Sequence, residues 1–260
     1  MNLWQGIVLG LVQGLTEFLP VSSSGHLVLF EALTGVHFTD VTVEVSLHIA
    51  TLGSVFVVYG RRLWDIIRGA LRGERASLLY AGLLIIASVP AAAIGILFHR
   101  QIEEQFHSLF WVGVQFIITG FILLATRGAH GERTTPTPAA AGLIGLAQAF
   151  AILPAISRSG ATVAAALKTG LTPAAAAEFS FLMSIPVIAG AGLLEAKDAV
   201  LNMGRIGALP WAVSFILAFA AGVWSIRLLV RLIRDGRFYV FAPYCIAIGL
   251  FTLAYALWHA

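Results

Sequence analysis

Glu17 lies inside an apolar stretch of this 260-residue chain, four residues after Gln13, so the two would share one face of a helix. A carboxylate at membrane depth is expensive and is by default a functional candidate. The plainer alternative is a local cap or ion pair near the interface. Gln13 and Glu17 together offer oxygen ligands of the kind that Mg²⁺ or Ca²⁺ takes. Glutamine adds no charge, so such a site needs a substrate's phosphates to complete it. Ser22-Ser23-Ser24-Gly25 follows, with His26 at the start of a second short apolar run. Free N–H groups at a helix N-terminus favour anions, and Ser and Gly let an anion approach the backbone. A single Ser there would be ordinary N-cap chemistry; three of them beside a His and a Glu point further. His26 is a candidate general acid, base or nucleophile toward phosphorus, against the alternative of a hydrogen-bonded core histidine.

A second segment, Ser157-Arg158-Ser159-Gly160-Ala161-Thr162, has the same character. Arg158 is its strongest signal. A guanidinium is always charged and forks onto phosphate oxygens. Buried, it needs an anion, either Glu17 in an ion pair between the two segments or a bound ligand. Two helix N-termini facing one another with an arginine between them describe a phosphate pocket. His48, within an apolar stretch, is a weaker candidate for its lining. Glu178 reads as interfacial. His37, His99, His107, His130 and His259 fall in loops or at ends, and the Arg61–Arg75 run reads as a solvated face.

Such residues must be held within a membrane. The chain is 59% hydrophobic and 11% charged, with mean hydropathy +0.91; soluble domains carry about 25% charged residues. The expectation is an all-α integral membrane protein forming one polytopic domain over 1–260. The stretch before Glu17-Phe18-Leu19-Pro20 has neither a basic leader nor a small-residue cleavage site, so no cleavable signal peptide is expected. The single cysteine, Cys245, excludes an intramolecular disulfide and a thiolate metal cluster. A pI near 9.4 is explained by arginines beside apolar spans as topology signals, and no nucleic-acid partner is expected.

Run lengths predict six full spans at 41–60, 77–98, 108–126, 173–194, 209–230 and 239–258. Residues 3–35 and 138–171 are each too short for two spans and are broken, at Pro20–Gly25 and Pro154–Gly160. Each reads as a re-entrant helix–break–helix hairpin, tolerated at depth only when protein or a watery cavity surrounds it. Shifting the sequence by 135 positions lays Gly10 on Gly145, Gln13 on Gln148, Ser22 on Ser157, Ser24 on Ser159, Gly25 on Gly160 and Gly35 on Gly170. Repeat one spans about 1–126 and repeat two about 138–260. Three spans between the hairpins would invert the second copy. The arginines at 61–75, at 127 and 133, and at 227–237 mark cytoplasmic loops, leaving both termini outside. Inverted repeats with broken helices place a polar site at the midplane.

Gln13-Gly14-Leu15-Thr16-Glu17-Phe18-Leu19-Pro20-Val21-Ser22-Ser23-Ser24-Gly25-His26 resembles the first signature of the undecaprenyl-pyrophosphate phosphatase family, also called the BacA or bacitracin-resistance family. Pro154-Ala155-Ile156-Ser157-Arg158-Ser159-Gly160-Ala161-Thr162 is similar to its second. Further similarity appears at Arg61-Arg62, Ala87–Ala91 and Phe179–Leu182, so the resemblance spans nearly the whole chain. It implies a phosphatase of the bacterial inner membrane whose site faces the periplasm. Its substrate would be a C55 polyprenyl pyrophosphate, cut to recycle the lipid carrier of cell-wall synthesis with a divalent cation, Mg²⁺ or Ca²⁺. By the same resemblance Gln13 and Glu17 serve metal binding or proton transfer, Ser23 and His26 compete as nucleophile, and Ser157, Arg158 and Thr162 hold phosphate. Ser22, Ser24, Gly25, Ser159 and Gly160 complete the expected phosphate-binding set. The expected partners are the lipid substrate and the membrane, and a homodimer is compatible with both. Ala155 stands where the family motif has Gly, which either repositions the second turn or means that the backbone there needs no positive φ.

A transporter or flippase for a phosphorylated polyprenyl lipid is the rival reading, because inverted repeats and broken helices serve transport equally. It would use Arg158 but not Ser23 or His26 as reacting groups.

Overall fold

The computed structural model describes residues 1–35, 41–129, 131–202 and 207–259. They form helices α1 (Leu3–Thr16), α2 (Ser23–Thr34), α3 (Val41–Leu71), α4 (Arg75–Leu97), α5 (His99–Phe106) and α6 (Leu109–Leu124). α7 (Pro138–Phe150), α8 (Arg158–Lys168), α9 (Pro173–Asn202), α10 (Ala208–Arg234) and α11 (Ala242–Trp258) follow, the last entered through a 3₁₀ turn at Phe238–Phe241. The chain is therefore an all-α membrane protein. His37 and His130 lie outside the described residues.

α4, the first 18 residues of α9, α10, and the 3₁₀ turn with α11 are each long and apolar enough to cross a bilayer. α6 qualifies only with the short helix before it, from which it is bent by 93°. That short helix, α5, stands where a loop was expected between two spans. α3 covers the remaining expected span and is 31 residues long. Its inner face carries Ser46, Thr51 and Ser54, all buried, which dilutes its hydropathy. It also runs past residue 60, because a helix ends where its hydrogen bonds end and not where the lipid does. Leu79, Ile85, Val89 and Ile96 on α4 are more than half exposed, as a lipid-facing surface is.

The two hairpins are each clasped by the opposite half of the chain. α1 packs along α10, and α7 along α4. Glycines make this possible: a Cβ on Gly10 would lie 2.4 Å from the Ser214 carbonyl oxygen, and one on Gly145 would lie 2.6 Å from that of Ala87. α3 lies against α9, and α6 against α11, so each pair joins corresponding helices of the two halves. Phe18, Phe179, Phe181 and Leu182 fill the core beneath the first hairpin.

Candidate active site

The breaks Glu17–Ser22 and Ala151–Ser157 meet tip to tip inside the bundle. Ser22 and Ser24 both donate to the Pro154 carbonyl, Ser22 at 2.7 Å. In return Ser159 donates to the Leu19 carbonyl at 3.3 Å. These bonds are related by the same 135-residue shift that the sequence repeats. Gly25 faces Ala155, and Gly160 faces Pro20, by the same relation. Ser22 and Ser157 each cap their helix, accepting from the N–H of Gly25 and of Gly160.

Ser22 is the only non-glycine residue with positive φ among those described, at 66°. Such a backbone is strained for serine and persists only when held from several sides. Its hydroxyl, through Pro154 and Gly25, and its carbonyl, through His26, are both held. Ala155 has no such backbone, so the residue expected to be Gly needs no positive φ here. It is fully buried; its N–H donates to Gln115 at 3.1 Å and its carbonyl accepts from Thr119 at 2.9 Å.

Glu17 is the centre of the site, its side chain 6% exposed. Its Oε1 pairs with the Arg158 guanidinium. Its Oε2 accepts from Ser23 Oγ at 2.8 Å and from Gln13 Nε2 at 3.0 Å, and His48 Nε2 lies 3.9 Å away. A buried carboxylate with a guanidinium and two neutral donors is electrostatically satisfied. Of the two anions weighed for Arg158 in the sequence, the ion pair with Glu17 between the hairpins is present, and Arg158 also lines the adjoining cavity.

A cavity of about 350 Å³ opens over this cluster. Its lining takes Gln13, Glu17, Ser22, Ser23 and Ser24 from the first hairpin, His48 from α3, and Gln148, Ser157 and Arg158 from the second hairpin, together with apolar Leu27, Ala91, Ile152, Val187 and Ile188. The starts of α2 and α8 both border it, so the positive ends of two helix dipoles lie beside the same space. Hydrogen-bond donors, an always-charged cation and a hydroxyl held against a carboxylate can bind a phosphate group and attack it.

Several expected site residues stand behind this lining. Gly25, Ser159 and Gly160 form the hairpin contact described above. Thr162 is fully buried, its hydroxyl shared between the Arg158 carbonyl (2.7 Å) and Ser180 (2.6 Å). His26 is turned away from the cavity. Nδ1 lies 2.6 Å from the Ser22 carbonyl, which can only accept, and Nε2 lies 2.6 Å from the Tyr244 hydroxyl. Its ring stacks on Tyr244 and meets Phe116 edge-on. Tyr244 was not singled out in the sequence; nothing local marks a partner 218 residues away. Gln148 was visible only as the repeat of Gln13. Glu178 ties α9 to α3 and α4, through Arg62 at 2.8 Å and the Tyr80 hydroxyl at 3.2 Å. Arg62 makes this pair while its side chain stays 46% exposed, on the solvated arginine face.

Among the described residues no cluster of three or more His, Cys, Asp or Glu could hold a metal ion. An ion at this site would rely on amide oxygens and substrate phosphates beside Glu17.

Known proteins are similar to this chain over nearly its whole length. An undecaprenyl-diphosphatase of Desulfosudis oleivorans is 42% identical, covering 96% of this chain and 97% of that protein. One from Halothermothrix orenii is 37% identical over 98% and 99%, and one from Carboxydothermus hydrogenoformans 40% over 97% of each. Residues 6–251 match the family model described as bacitracin resistance protein BacA, and the chain belongs to that family.

Proposed function

We propose that this protein is an undecaprenyl-diphosphatase, hydrolysing a C55 polyprenyl pyrophosphate to the monophosphate and inorganic phosphate and so recycling a cell-wall lipid carrier. The observation that carries this reading is the convergence of Ser23 and Arg158 on Glu17 at the floor of one cavity. The relatives' shared name gives the substrate class. The cavity faces the periplasm, with both termini on that side, in the reading that follows from the arginine-rich loops. The polyprenyl tail stays in lipid between the helices.

Arg158 and the helix N-termini neutralise the pyrophosphate; in phosphoryl transfer, positioning and charge stabilisation supply most of the catalysis. Ser23 Oγ attacks the terminal phosphorus while Glu17 takes its proton, and the bond to the bridging oxygen breaks to release the polyprenyl monophosphate. Water then attacks the phosphoserine, freeing inorganic phosphate and restoring Ser23. Ser23 is favoured over His26 because it lines the cavity and already donates to a carboxylate, whereas both His26 nitrogens are engaged elsewhere. A divalent cation, Mg²⁺ or Ca²⁺, would be held by Gln13 and Glu17. It would supply further charge neutralisation on the phosphates. The unpartnered, buried Gln13 Oε1 fits that role.

The test is phosphate release from undecaprenyl pyrophosphate by purified protein in detergent, with and without chelator. Turnover is expected without any second compartment. A protein that binds the lipid but releases no phosphate would be a carrier and not a phosphatase.

A further inference from the structure

Among the described residues, just two buried side-chain acceptors lack a partner: Gln13 Oε1 and Gln148 Oε1. Both residues are essentially inaccessible, both line the same cavity, and they are one another's counterparts in the repeat. Their amide orientations are fixed chemically. Gln148 Nε2 donates to the Ala87 carbonyl at 3.4 Å, and Gln13 Nε2 to Glu17. Reversing either amide would set oxygen against oxygen. The two carbonyl oxygens are therefore directed away from these acceptors. Leaving such a group buried and unpaired is unfavourable, because its lost hydration is not replaced. Acceptor oxygens beside a pyrophosphate repel it unless something positive lies between. Neutral amide oxygens are ordinary ligands of hard divalent cations.

We propose that Gln148 is a cation-binding residue contributed by the second hairpin, joining Gln13 and Glu17 in an oxygen-donor set for a divalent ion that travels with the pyrophosphate. This rests on the phosphatase reading above. It makes the ion a shared ligand of both repeats, where Gln13 and Glu17 alone would confine it to the first.

The experiment uses the full-length protein in detergent and Mn²⁺ as probe, titrated by electron paramagnetic resonance with a non-hydrolysable prenyl methylenediphosphonate present. Wild type should bind Mn²⁺. Q148M, close in volume but without an oxygen ligand, should bind it about 10-fold or more weakly. Q148E should bind it more tightly, by adding charge. In turnover, Q148M should need about 10-fold more Mg²⁺ for half-maximal phosphate release, with the loss recovered at saturating Mg²⁺. Unchanged Mn²⁺ affinity in Q148M, or no Mn²⁺ bound by wild type, overturns the assignment and leaves Gln148 a ligand of water. So does a Q148M defect that Mg²⁺ cannot recover. If wild type releases no phosphate, the phosphatase reading fails by itself, and the Mn²⁺ titration still decides the ligand.

Discussion

The two hairpins share a hydrogen-bonding plan, but differ in the backbone of the capping serine, φ 66° at Ser22 against −68° at Ser157, and in what the plan carries. Ser23 and Arg158 occupy the same position, each the first residue of the helix after the break, and both reach Glu17 from opposite sides. Glu17 itself corresponds to Ile152, and His26 to Ala161. The caps, the reciprocal carbonyl contacts and the close-packed glycines are duplicated; the reacting groups are not. A duplicated frame places two loops at one point, and divergence at a few positions then makes one loop attack and the other hold. The comparison predicts that substitutions at equivalent positions should have unequal effects on chemistry and equal effects on stability.

The largest effect should come from Ser23→Ala. Removing a nucleophile lowers turnover by about 10⁴-fold or more, and no phosphorylated protein should be trapped by acid quench and mass spectrometry. A Ser23→Ala protein with full activity would exclude the serine route outright. At the equivalent position, Arg158→Lys keeps the charge but loses the planar fork that meets Glu17 and phosphate together. Phosphate release should fall by about 10²-fold, the scale of one lost transition-state donor. A loss as deep as that of Ser23→Ala would mean that the second hairpin does more than hold.

How much of this the sequence carried depends on the kind of signal. Both breaks were legible because Pro20 and Pro154 with flanking Ser and Gly interrupt apolar runs too short to cross. Glu17, Ser23 and Arg158 were legible because polar groups at membrane depth need a reason to be there. α5 was not, since a short polar helix leaves no mark on hydropathy. The length of α3 beyond residue 60 was hidden for the same reason. Which expected residues reach the cavity was also hidden. Thr162 and His26 carry suitable chemistry, but Ser180 on the next helix and Tyr244, 218 residues from His26, take up their polar atoms. Gln148 had a visible counterpart and no visible purpose until the cavity joined them.

The frame should answer symmetrically. Gly10→Val and Gly145→Val each force a side chain against backbone of α10 or α4, with no flexible atom to yield. Each should destabilise the protein by about 1–3 kcal/mol, the usual cost of overpacking, read as similar falls in melting temperature in detergent. If one variant is silent and the other unfolds, the two clasps do not bear equal load, and the shared frame is weaker than its geometry.

The smallest effect tests the asymmetry at His26. Tyr244→Phe removes the hydroxyl 2.6 Å from His26 Nε2 and leaves the ring stack and the Nδ1 contact with Ser22 in place. With Nδ1 donating to a carbonyl, the neutral ring presents Nε2 as an acceptor, and the tyrosine occupies that lone pair. If His26 only braces the strained Ser22 turn, losing one hydrogen bond costs about 1 kcal/mol. Phosphate release should then fall by about 5-fold at most, as the turn carrying Ser23 loosens. If His26 were the nucleophile, Tyr244→Phe would free the attacking lone pair, and the rate should rise. A rise would also require the ring to leave the Ser22 carbonyl and turn toward the cavity, so a nucleophilic His26 has to dismantle the strained turn that holds Ser23 against Glu17. A brace and a nucleophile at this position therefore predict opposite signs for one substitution.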